Sequence, residues 1–197
     1  MEVSREQADE VLKDIELVAQ RARDATVYRT MAPIMMLWGA VLATCFSVTH
    51  FAPHAAGMAW LIGDGLGLAG TALLGWILPR RGPVVSKSAN KLGRRVGWFW
   101  FLLCTFASSW LFILWPWHPD QLGTFIVSLA MFAYVVLGLW LEMRPMIVIG
   151  LVVALLATGA YFASLVVPGY LNLWLAIVGG GALLVSGIYL YLKGRRS

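Results

Sequence analysis

From Ala55 to Leu78 the chain reads AAGMAWLIGDGLGLAGTALLGWIL, apolar and small residues throughout except for one carboxylate, Asp64, near the middle. A run of this length crosses the hydrocarbon core of a bilayer, which takes about 20 predominantly apolar residues. In lipid the backbone must satisfy its own hydrogen bonds, so the run is read as a transmembrane helix. Its carboxylate costs roughly 2.5 to 3.5 kcal/mol at the centre of such a helix. Something has to compensate for it.

Five further runs have the same character. The spans are expected at about 33–51, 55–78, 96–117, 122–141, 146–167 and 173–192, which makes the chain an all-α, polytopic membrane protein with six transmembrane helices. Hydrophobic residues make up 60% of the sequence and charged residues only 13%, so the medium around most of it is lipid. Cys45 and Cys104 fall inside spans and are read as small buried hydrophobes. The six spans pair in sequence into three hairpins, each with proline in its outer turn: Pro53, then Pro116 and Pro119, then Pro168. The returning spans end similarly, GWILPRR, GLWLEMR and GIYLYLKGR, a pattern that a triplicated hairpin would leave and that six-helix geometry alone also permits.

Residues 1–30 differ and are read as a separate cytosolic amphipathic helix ahead of a transmembrane domain over 31–197. Ser4 and Gln7 fit a capping box. Acids crowd the start of this segment (Glu6, Asp9, Glu10) and arginines its end (Arg21, Arg23, Arg29), which complements a helix dipole. Val11, Ile15, Val18 and Ala22 recur at three- and four-residue spacing and form a narrow seam suited to one partner helix. A homodimer or a protein partner through this seam is therefore expected. A latch between the acidic half of the helix and the basic 79–95 connection competes with it, as does a helix that is merely solvated. Neither an uninterrupted apolar core nor a small-residue cleavage site occurs in the first thirty residues, so no signal peptide is expected.

Charge sets the expected orientation. Arg80, Arg81, Lys87, Lys91, Arg94 and Arg95 lie in the second connection, Arg144 in the fourth, and Lys193, Arg195 and Arg196 in the tail, while the opposite loops carry no lysine or arginine. Basic residues accumulate on the cytoplasmic side, so both termini are expected there, in a membrane of the bacterial inner (plasma) type. Trp38, Trp76, Trp98, Trp100 and Trp140 then mark the inner interface, and Trp60, Trp115, Trp117 and Trp174 the outer one. The net charge of +5 is distributed between spans rather than on one soluble face. This favours anionic lipid headgroups as the partner and argues against nucleic acid, for which no separate domain exists.

An ionisable residue inside the membrane is by default a functional-site hypothesis, and Asp64 has no lysine or arginine at its depth. Counting inward from each outer end brings Thr44, Ser108, Ser109, Ser128 and Thr158 near its level. These residues form an expected polar layer whose hydroxyls bond Asp64 around a small wet cavity. Alternatively, each hydroxyl bonds its own helix backbone and Asp64 is a packing device. Gly65, Gly67 and Gly70 match GxGxxG, but that fingerprint acts at a strand-to-helix turn and is rejected inside a transmembrane span. Gly63 and Gly67 form GxxxG, read as close helix packing, with unwinding of the helix beside Asp64 as the competing account. His50, His54 and His118 all fall on the outer side. They are weak metal candidates, because Pro53 separates the first two, and no metal or other cofactor is expected.

GxxxxGK[ST], HExxH, CxxC and GxSxG are all missing, and no close pair of carboxylates lies inside a span, so the chain is not expected to be an enzyme. The leading expectation is a non-enzymatic sensing, regulatory or scaffold subunit acting through its cytosolic N-terminal helix. The competing one is a small proton-linked transporter or permease with Asp64 as the coupling acid.

Overall fold

The computed structural model describes residues 5–77, 87–113 and 115–196. The described chain is helical: α1 (Arg5–Phe51), a 3-10 turn (Pro53–Ala55), α2 (Ala56–Ile77), α3 (Lys87–Ile113), α4 (Pro119–Trp140), α5 (Arg144–Ser164), α6 (Leu171–Leu175), a π-helical segment (Ala176–Gly181) and α7 (Ala182–Arg196). Six stretches are long and apolar enough to cross a membrane: Met31–Phe51, Pro53–Ile77, Gly93–Ile113, Pro119–Trp140, Arg144–Ser164 and Leu171–Gly194.

α1 departs most from the sequence reading. It runs 47 residues without a break, about 70 Å at 1.5 Å per residue, straight through the expected boundary at residue 30. Pro33 sits inside it. Proline removes one main-chain donor and normally kinks or ends a helix. Here the flanking turns are held by packing, since Tyr28, Ala32, Met35, Leu42 and Phe46 are all buried. Their spacing of four, three, seven and four residues, with buried Gly39 filling the gap of seven, is a heptad-like stripe.

The stripe meets the last helix of the chain. Gly180, Leu183, Gly187 and Leu190 are buried along the π segment and α7, again at three- and four-residue steps. The two backbones come close enough that a Cβ at Gly39 would lie 2.6 Å from the Leu184 nitrogen, and one at Gly187 2.9 Å from the Ala32 carbonyl oxygen. A Cβ at Gly180 would run into the backbone of Ala43. Small residues are the usual means of helix association in lipid, where apolar burial gives no net drive and close van der Waals contact must. Near the end of this contact the Lys193 ammonium stands 5.3 Å from the centre of the Tyr28 ring, a cation–π pair.

α4 packs along α5, where Gly138 and Gly150 receive Ile147 and the Met131 carbonyl. Phe46, Val127, Met131, Met146, Leu175 and Leu183 fill the shared core of α1, α4, α5 and the last helix. The most extensive contacts are thus α1 with α7 and α4 with α5. Neither of these is a pair of the sequence-ordered hairpins. α1 and α2, the first expected hairpin, do pack together. α3 instead meets the bundle through a few side chains near its middle, with Phe99 edge-on to Trp140 at 5.4 Å, and none of its membrane-length window is buried. It ends at Ile113 rather than 117, where Trp117 turns back to donate to the Leu111 carbonyl at 3.0 Å.

Candidate functional site

α1 and α2 are joined by two reciprocal relays. Trp38 of α1 donates its indole N–H to the Thr71 hydroxyl of α2 at 3.0 Å, and Thr71 donates in turn to the Gly67 carbonyl at 2.7 Å. Trp60 of α2 donates to the Thr49 hydroxyl of α1 at 3.1 Å, and Thr49 donates to the Cys45 carbonyl at 2.8 Å. Each hydroxyl serves its own helix while accepting from the other. Between the relays the Cys45 thiol donates to the Ala59 carbonyl at 3.3 Å. Thr71→Val, which keeps the shape and removes the hydroxyl, is expected to destabilise the α1–α2 pair by about 0.6 to 2 kcal/mol. Denaturant titration in mild detergent against the wild-type chain measures it.

Gly63, Gly67 and Gly70, three of the six glycines of α2, occupy the face turned to α1. A Cβ at Gly63 would lie 2.5 Å from the Cys45 sulfur, one at Gly67 3.0 Å from the Trp38 ring, and one at Gly70 2.7 Å from a Leu37 methyl. α2 remains helical through this stretch.

Asp64, the residue after Gly63, is exposed. Among the described residues it makes no side-chain hydrogen bond or ion pair, and α2 packs chiefly on α1 and the Pro53–Ala55 turn. The hydroxyls expected around it stand on other elements. Ser108 and Ser109 are exposed on α3, Ser128 is half-buried on α4, and Thr158 is exposed on α5, none of which packs extensively on α2. Ser109 donates to the Thr105 carbonyl at 3.0 Å and Thr158 to the Ala154 carbonyl at 2.9 Å, each within its own helix. Thr44 lies on α1, exposed. The structure therefore does not gather the polar layer into one site. Equal depth in the membrane says nothing about which way a helix faces.

No family model, curated protein or solved structure matches this chain. The candidate site accordingly rests on geometry alone.

At the end of the bundle where α1 reaches the Pro53–Ala55 turn, His50 packs edge-on to Phe51 at 4.7 Å and lies 6.4 Å from the Tyr170 ring. His118 is the residue before α4, with Asp120 in that helix's first turn. No group of three histidine, cysteine, aspartate or glutamate side chains suited to a metal ion occurs among the described residues. At the opposite end Arg94, Arg95 and Arg144 are exposed. Arg80 and Arg81 lie outside the described residues, as do the side chains of Lys87 and Lys91.

The remaining candidate is the first half of α1. Val11, Leu12 and Ile15 are 56%, 56% and 58% exposed. The side chains of Val18 and Ala22, the rest of the expected seam, lie outside the description. The sequence reading missed that this seam and the transmembrane core stripe belong to one helix. The signal was present, because apolar positions continue at three- and four-residue steps from Val11 through Ala25 to Tyr28 and Ala32, but the shift from charged to apolar composition near residue 30 obscured it.

Proposed function

We propose that this protein is a non-enzymatic, multi-pass membrane subunit that senses or regulates through the N-terminal half of α1, presented on the cytoplasmic side of a bacterial-type inner membrane. The observation that carries this reading is the continuity of α1. A helix of about 26 residues before Met31 is covalently and conformationally the same rod as the first transmembrane span. That span is clamped to the last helix through Gly39, Gly180 and Gly187. Whatever binds the exposed Val11, Leu12 and Ile15 edge thus acts on a rigid element running through the membrane, not on a tethered tail. The excess of basic residues at that end supports the orientation and contact with anionic headgroups.

The transporter reading gains no support from the position of Asp64, which lies on an outward face with no hydroxyl of another helix bonded to it. The two readings differ in what they tolerate. Deleting residues 1–25 is expected to abolish recovery of a crosslinked protein partner from native membranes, and Asp64→Asn to leave it unchanged. The opposite pattern, with partner capture indifferent to the deletion, would remove the regulatory reading.

A further inference from the structure

We propose that the outward face of α2 docks a second copy of this chain, with the two Asp64 carboxyls paired across a twofold axis in the membrane. This goes beyond the role assigned to α1 and uses none of its residues. It starts from a polar side chain in the middle of a span that has no hydrogen-bond or ion-pair partner among the described residues. Asp64 lies about 12 Å along α2 from Ala56, too deep to reach water by side-chain length alone. Its neighbours on the open face are Leu61 and Leu68, 72% and 64% exposed.

The occupant follows from chemistry. A cation at that depth would be the obvious counterpart, yet the membrane-length windows of the described helices carry their lysines and arginines only near one end. A closed homodimer brings a residue near the axis against its own copy, so that residue must complement itself. A neutral carboxyl does, having one O–H donor and a free acceptor oxygen. The backbone geometry is compatible with close approach. Gly57, Gly65 and Gly75 have nothing within 4 Å of a built Cβ, whereas Gly63, Gly67 and Gly70 on the opposite side are filled by α1. α2 is thus thin beside Asp64, at Gly65, on its open side as well as along the side filled by α1.

The test is thiol crosslinking of the full-length chain, carrying Cys45→Ala and Cys104→Ala, in native membranes and after purification in mild detergent. Leu61→Cys and Leu68→Cys are expected to give covalent dimers, and Leu155→Cys on exposed α5 none. Asp64→Asn retains a donor and an acceptor and is expected to dimerise as the parent does. Asp64→Leu is expected to weaken the dimer roughly 3- to 30-fold, the range of one interhelical hydrogen bond in lipid. Asp64→Leu replaces a carboxyl by an apolar group on an outward face, so it is expected to insert and fold like the parent, which helix content and a monodisperse elution profile check. Repeating the set with Ile15→Glu separates a dimer held by the α1 edge. The proposal is overturned if the purified protein gives no dimer from Leu61→Cys or Leu68→Cys, if capture occurs only in membranes and only with another protein, or if Asp64→Leu dimerises as strongly as the parent.

Discussion

Gly180→Val is expected to separate α1 from the last helix and to cost the bundle about 1 to 3 kcal/mol or more, the range for overfilling a packed interior. The reason is what the new side chain meets. At Gly180 a Cβ collides with the nitrogen, Cα and Cβ of Ala43, which are main-chain atoms and a stub that cannot rotate away. At Gly67 the obstruction is the edge of the Trp38 ring, which can tilt. Gly181→Ala is the matched control. It alters the neighbouring residue of the same π segment, where nothing lies within 4 Å, and is expected to be neutral or to stabilise by up to about 1 kcal/mol through helix propensity. Unfolding in mixed detergent micelles, followed by circular dichroism, separates the two. Equal effects would mean that propensity and not backbone approach governs this contact.

Asp24→Pro is expected to break α1 between its exposed apolar edge and its transmembrane half, at a local cost of about 3 kcal/mol. Spin labels at Ile15 and Thr44, both exposed and 29 residues apart on one helix, are expected to report a single narrow distance near 44 Å in the parent. The proline variant is expected to give a broad distribution with shorter distances. Pro33 already lies within this interval, so a broad distribution in the parent itself would show that the native proline acts as a joint and would remove the rigid-rod basis of the proposed function. Capture of a protein partner is expected to survive Asp24→Pro while any transmitted effect on the bundle is lost, a combination that deletion of residues 1–25 cannot produce.

Hydropathy made the six spans legible, because crossing a bilayer demands an uninterrupted apolar length that few other structures need. It could not show which spans touch. Leu61 on an outward face and Leu183 in the core carry the same side chain, and lipid tails are as apolar as either, so polarity does not separate a lipid-facing position from a packed one. The glycines were the better guide, with Gly63 and Gly67 turned to α1, but Gly39 and Gly187 stood alone in sequence and drew no attention. Thr49 and Thr71 escaped notice for a related reason. Each accepts from a tryptophan on the other helix, and a relay of that kind has no sequence pattern until the helix pairing is known. The first span does begin at Met31, but its continuity with the preceding charged segment was not legible, because a change of composition near residue 30 does not show whether the helix itself breaks there.

The pairing of α1 with α7 has a consequence for biogenesis. The span in α1 finds its principal neighbour only when α7 emerges, well over a hundred residues later. Until then its glycine-lined flank faces lipid or the insertion machinery, and the central bundle has no way to close. Closure of this contact therefore waits for α7, and a nascent chain stalled before residue 180 presents quality control with an open, half-built membrane domain.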